Sequence, residues 1–291
     1  MNPQRRTHLA RLLALAAGGS LLPALAQEGA TQVPQASQVP DEVGPLQLGG
    51  ESLLLSSRVL GERRRINVYL PEPYLQQADL RLPLLVMPDG GMAEDFPHIA
   101  GLLQVGIANG TVRPHILVGI ENTQRRRDLT PPSEEARDRA IAPQIGGSAT
   151  FRRFLREELL PLVQARYRCT QERALIGESL AGLFVLETLL REPDLFGTGI
   201  AIDPSLWWNR ERLTRDLAQR SSALAGHRLF MASADKDGNT APIRRFVQQL
   251  RRLRPEGLDW HYQPMAGEGH ATVYHPAALI AMRRLLKPAQ G

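Results

Sequence analysis

Short, wholly apolar runs recur along this chain, separated by stretches of helical periodicity, and no other feature narrows its possible folds as far. Residues 83–87 (Pro-Leu-Leu-Val-Met), 116–120, 174–176, 199–202, 228–232 and 258–265 make up the series. Helical patterns fall between and after them: 151–167, where Phe151, Phe154, Leu155, Leu159 and Leu162 share one face, then 180–190, 210–217, 241–253 and 276–286. A strand without a polar face must be covered on both sides. The pattern therefore predicts an α/β fold with a mostly parallel central sheet and helices on both faces. Two earlier strands are expected at 53–60 and 65–70, the second alternating Ile66, Val68 and Leu70 until Pro71 and Pro73 end it. Ligands of such folds sit beyond the carboxyl ends of the strands, so the loops after the apolar runs are where chemistry is expected.

Hydrophobic residues make up 43% of 291, enough for one large core, and no internal repeat or composition break after residue 51 divides it. The formal charge of +5 is inflated by the N-terminus. Without Arg5, Arg6 and Arg11, 32 basic residues face 30 acidic ones, a balance that gives no field for nucleic-acid binding. Cys169 is the single cysteine, so no internal disulfide can form. No Cys/His set has the spacing of a zinc site, and no metal or cofactor is expected.

The N-terminus reads as an address. Arg5, Arg6 and Arg11 lead an apolar run over 12–22, Pro23 breaks it, and Ala24-Leu25-Ala26 offers small residues to a signal peptidase. Residues 1–26 are thus expected to be a secretory signal peptide, 27–50 a flexible leader rich in Gln, Pro, Gly and Ser, and 51–291 the catalytic domain. The expected location is periplasmic or secreted, with no membrane span once the signal is removed.

The strongest chemical signal is Ala174-Leu175-Ile176-Gly177-Glu178-Ser179-Leu180-Ala181-Gly182. A strand runs into a sharp turn and a helix leaves at once, which exposes Ser179 at the top of the sheet. Such a turn needs small neighbours, and Gly177, Ala181 and Gly182 supply them. A serine hydroxyl needs a base, and in this arrangement the partners follow in the order serine, acid, histidine. His270 stands on the loop Ala266-Gly267-Glu268-Gly269-His270 after the last strand and is the expected base; Pro276 ties its rival His275 to a helix start. The acid is expected after the strand at 228–232. Asp237 is the first choice, Asp235 the alternative, and Asp203, after the preceding strand, the third. For the oxyanion, the backbone N–H groups of Leu180 and Gly91 are expected, the latter in the turn Asp89-Gly90-Gly91-Met92.

These stretches, with Val118-Gly119-Ile120, Arg127-Asp128-Leu129-Thr130-Pro131, 154–161, Pro204-Ser205-Leu206-Trp207-Trp208 and Glu268-Gly269-His270, resemble the putative-esterase branch of α/β hydrolases. That branch includes esterase D, the enterochelin (ferric siderophore) esterases and the mycolyltransferases. The resemblance spans about 85–270 in the expected order. It implies an α/β-hydrolase fold, Ser179 as nucleophile, His270 as base, and oxyanion donors at Gly91 and Leu180. It also implies an acid near 235–237, without choosing one. The chain departs from the family pattern with Ala181 for the usual glycine and Asp203 where serine is common. Trp207 and Trp208 are candidates to line an acyl or aryl pocket. Arg127 is expected to pair with Asp128 or Glu121 and is left outside the site. The expected function is a serine-dependent carboxylic-ester hydrolase acting through an acyl-enzyme on a small-molecule ester, a siderophore ester among them. The alternatives are an acyltransferase with the same triad and a non-catalytic binding protein on the same scaffold.

Overall fold

The computed structural model describes residues 48–236 and 239–288. The expected signal peptide at 1–26 lies outside the described residues, as does the leader up to residue 47. Eight strands form one sheet: β1 (Gly50–Ser57), β2 (Glu62–Tyr69), β3 (Leu82–Pro88), β4 (Ile116–Ile120), β5 (Cys169–Glu178), β6 (Thr198–Ile202), β7 (Arg228–Ala234) and β8 (Asp259–Met265). Their order is β1-β2-β4-β3-β5-β6-β7-β8. The pairs β1–β2 and β2–β4 are antiparallel, and every later pair is parallel. The connection from β1 to β2 turns at Gly61 (φ 67°) and is too short for a crossover, which forces the antiparallel pair. This is the order and orientation of the α/β-hydrolase fold.

The helices are α1 (Glu72–Gln76), α2 (Phe96–Ala108), α3 (Arg125–Leu129), α4 (Ala136–Arg139), α5 (Ser148–Phe154), α6 (Leu160–Arg166), α7 (Leu180–Arg191), α8 (Trp208–Arg220), α9 (Thr240–Leu253) and α10 (Tyr274–Leu285). Side chains of the parallel strands alternate between two cores. Leu85, Met87, Leu117, Ile176, Ile200, Ile202 and Phe230 pack with α2 and α10. Leu84, Val86, Ile116, Val118, Leu175 and Met231 pack with α5 to α9. Both faces are thus dry, which is why the strand sequences carry no polar alternation.

Beyond the short helices α1, α3 and α4, which the sequence patterns did not mark, three longer elements differ from the sequence reading. Helix α2 was not marked by a strong periodic pattern; Pro97, Gly101 and Gly106 interrupt it. The helix expected at 151–167 is continuous but widens to a π-helical turn over Leu155–Leu159 between α5 and α6. Pro161, in the first turn of α6, has no N–H to give the ladder, and the wider turn absorbs the gap. In α8, Asn209, Arg210 and Glu211 hold positive φ, so regular helix starts later than its first residue.

The Arg-Asp-Leu-Thr-Pro segment ties the β4 exit to the sheet. Arg64 of β2 is wholly buried, donates to the Asp128 carboxylate, and also gives Nη1–H to the Glu121 carbonyl at 3.1 Å. Arg127 pairs with Asp128 (2.7 Å), as expected, and with Glu62 (2.8 Å) instead of Glu121. Asp128→Ala would leave the Arg64 guanidinium buried with one carboxylate fewer. It is expected to cost about 3 kcal/mol in urea unfolding; wild-type stability would contradict this account of the segment.

Candidate active site

Ser179 links β5 directly to α7. Its backbone sits at φ 60°, ψ −119°, a region costly for any residue with a Cβ. Two hydrogen bonds fix the corner: Ser179 N–H to the Ile202 carbonyl and Ser205 N–H to the Ser179 carbonyl, each 3.0 Å. The helix crosses the strand end closely. A Cβ on Gly177 would stand 2.6 Å from the Ala181 Cβ and 2.7 Å from its backbone carbon. Ala181 is wholly buried and fits where the usual pattern has glycine, because Gly177 opposite it has no side chain.

His270 reaches this corner from the loop after β8. Its Nε2 lies 3.0 Å from Ser179 Oγ. Its Nδ1 lies 2.5 Å from Asp203 Oδ2. Asp203 directly follows β6 and is fully buried. Its other oxygen accepts the Ala234 N–H (3.0 Å), and Asn239 Nδ2 adds a bond to Oδ2 (3.2 Å). A buried carboxylate so saturated is held in one orientation, with Oδ2 aimed at the ring.

For the two candidate acids that lie among the described residues, the order expected from sequence, Asp235 before Asp203, is corrected. Among the described residues, Asp203, the third choice, is the carboxylate on Nδ1. Asp237 lies outside the described residues. Asp235 is exposed and turns away: its two oxygens accept the Gly267 N–H at 3.0 and 3.1 Å, which pins the histidine loop from outside. The physical reason is lateral. β6 and β7 are neighbours with Ile202 opposite Ala232, so the loop after either strand can reach the same ring.

Leu180 is the first residue of α7, so its N–H has no carbonyl one turn back to bond and stands at the positive end of the helix. Gly91 N–H, the other expected oxyanion donor, is occupied: it donates to Glu94 Oε2 at 2.7 Å. The turn itself is rigid. Gly90 fits against Gly119 and Ile120 only without a side chain, and Arg125 holds Asp89 through two bonds of 2.7 and 2.8 Å. A cavity of about 570 Å³ opens beside Gly91, lined by Ser52, Arg65, Asn67, Met92, Glu94 and Glu121 among others.

The two tryptophans separate. Trp208 is 1% exposed and gives its indole N–H to the Pro131 carbonyl (2.9 Å), so it packs the core and the expectation of a substrate contact fails there. Trp207 is half-buried, with the Arg137 guanidinium 5.6 Å from its ring centre.

Sequence reading passed over Glu178, the residue between Gly177 and the serine. Its Oε1 is buried and stands 3.2 Å from His270 Nε2. Burial pushes its carboxyl up to about 7, against the pull of His270 and Arg125. Burial likewise lifts Asp95, beside Asp89, to about 6. Ligand atoms of Glu178, Asp203 and His270 lie within 4.8 Å of one another. Both ring nitrogens already face partners, so a cation there would have to displace one of those contacts.

Comparison with known proteins gives this geometry a family. The family model described as "Putative esterase" matches residues 57–283. The chain is 28% identical over 271 residues to the ferri-bacillibactin esterase BesA of Bacillus subtilis, covering 82% of this chain and 90% of that one. It is 28% identical over 247 residues to the iron(III) salmochelin esterase of Escherichia coli, covering 78% of this chain and 56% of that longer protein. The crystal structure of an IroE-like serine hydrolase from Shewanella oneidensis superposes with a TM-score of 0.73 at 29% identity, over 81% of this chain and 80% of that one.

Gly177→Ala tests the packing at the corner. The added methyl meets backbone as well as side chain, so it is expected to cost about 2–3 kcal/mol in urea unfolding and to impair ester turnover by moving Ser179. Wild-type values of both would contradict the strained-corner description.

Proposed function

The chain belongs to the putative-esterase family of α/β hydrolases and is an esterase; on that footing we propose that it cleaves small carboxylic esters through an acyl-enzyme on Ser179, with siderophore esters as the substrate class. The observation that carries the reading is the chain of contacts from Ser179 Oγ to His270 Nε2 (3.0 Å) and from Nδ1 to Asp203 Oδ2 (2.5 Å). An unassisted serine hydroxyl is almost inert at neutral pH. Here the imidazole takes the Oγ proton as Oγ attacks the ester carbonyl, and the Asp203 carboxylate orients the ring and stabilises the imidazolium. The same Nε2–H then goes to the leaving alcohol. A water, deprotonated by the ring, releases the acyl group and regenerates Ser179.

The developing oxyanion falls to Leu180 N–H at the head of α7 and to Gly91 N–H. The second donor becomes usable when the Glu94 carboxylate leaves it, a step that substrate entering the adjoining cavity would drive. Trp207 under Arg137 supports an aromatic, anionic acyl group, two residues beyond Ser205, whose Oγ is 3.3 Å from Ser179 Oγ. The names of the relatives point to the same class, esters of iron-binding chelators. The arginines and apolar run of residues 1–26 support export, which would place the enzyme outside the cytoplasm.

Ser179→Ala and His270→Ala are each expected to lower kcat on the order of 10⁴-fold or more, with unfolding curves unchanged. Asp203→Asn is expected to lose on the order of 10²–10⁴-fold, and Asp235→Asn only a few-fold. Initial rates on an ester panel that includes a ferric catecholate trilactone check all four. Near-normal turnover by the serine or histidine variant would refute the mechanism, and equal losses at Asp203 and Asp235 would refute the assignment of the acid.

A further inference from the structure

His270 Nε2 faces two oxygens. Ser179 Oγ is 3.0 Å away and Glu178 Oε1 is 3.2 Å away. Oε1 is shielded from solvent and accepts no well-aligned hydrogen bond among the described residues. It stands at the end of β5, where the backbone has no freedom to carry it off, because the next residue is the strained corner. Resting on the serine mechanism above, we propose that Glu178 is a second carboxylate on the base: it accepts a hydrogen bond from Nε2–H while that proton is between Ser179 and the leaving alcohol, and it thereby sets the lower pH limit of turnover.

The argument is electrostatic. When His270 is neutral, the Nε2 lone pair faces the carboxylate, which is unfavourable; when the ring is protonated, the same pair attracts. Asp203 acts likewise on Nδ1, so the imidazolium lies between two carboxylates. No covalent transfer to Glu178 is involved: the proton passes from Oγ to Nε2 and then to the leaving oxygen, and Glu178 shares it only as an acceptor. The charged and titratable groups around Glu178 come from every neighbouring element. Asp89 follows β3, Arg125 opens α3, Asp203 follows β6 and His270 follows β8. Tyr274 begins α10, its buried phenol raised by burial and then by Asp95, Asp89 and Glu178. Burial lifts Glu178 to about 7, and the neighbouring His270 is the strongest of the charges that pull it back down.

The sign follows from the charge. A carboxylate at 3.2 Å favours the protonated ring, so it moves the acid limb of kcat/KM to higher pH. Glu178→Gln keeps the shape and removes the charge. It is expected to move that limb down by about one pH unit and to lower the alkaline plateau a few-fold, so that the two profiles cross. Coincident profiles, or profiles differing only by a scale factor, would overturn the proposal. Glu178→Asp keeps the charge but draws it back by one methylene. It should place the limb between the other two, and if the glutamine variant is insoluble, an unmoved limb in the aspartate variant overturns the proposal alone. A fluorophosphonate probe at pH 8 separates this inference from the serine mechanism. A Glu178→Gln protein that labels at Ser179 with an unmoved limb refutes the role of Glu178 only. Wild-type protein that does not label refutes the serine mechanism as well.

Discussion

The positive-φ corner at Ser179 is the constraint on which the rest of the site depends. A serine at φ 60° is held there only because α7 starts at the next residue and packs down on the end of β5. That packing leaves no room for a Cβ at Gly177, and a Cβ on Gly182 would crowd the Ile202 carbonyl oxygen at 3.0 Å and the Pro204 Cα at 3.2 Å. Backbone bonds to Ile202 and Ser205 lock the corner to the neighbouring strand. The strain is offset by burial of α7, whose residues from Leu180 through Leu190 are all inside the protein. One turn thus performs two tasks: it brings Oγ to the base and holds Glu178 beside it.

Much of this architecture could be read from the sequence. The apolar runs marked the parallel strands, and 116–120 coincided with β4. Ser179 and His270 were legible because each stands on a loop whose place in the chain dictates its place on the sheet. The acid was not legible for a reason of geometry. β6 and β7 end side by side, so chain order cannot say whose loop turns toward the ring. Burial decides it: Asp203 is enclosed and saturated, whereas Asp235 lies at the surface and binds Gly267. Glu178 was invisible for a related reason. Within the motif it is only the variable residue before the serine, and its contact with His270 exists once β5 and the loop after β8 are brought together. Helix α2 escaped because its glycines and proline dilute the periodic signal.

The site combines rigid and releasable parts. Asp89, Arg125 and Asn122 brace the turn after β3, and Asp128 with Arg64 and Arg127 anchors the segment behind it. The same turn also holds one contact that the proposed oxyanion role of Gly91 would require to break, Glu94 on the Gly91 amide. Several carboxylates thus crowd a site that builds negative charge during acyl transfer. Arg125, bonded twice to Asp89, neutralises part of that charge. The family relationship carries the assignment to ester cleavage; neither relative described above is named for acyl transfer, and the intact serine–histidine contact is what a purely binding protein would not need.

Acid-quenched mass spectrometry of the enzyme after mixing with a slowly deacylated aryl ester tests the central claim most directly. The account predicts one added acyl group, on the peptide that contains residue 179, appearing before steady-state turnover and absent when the base at 270 is removed. Turnover with no acylated peptide at any time, or acylation at another residue, would contradict it.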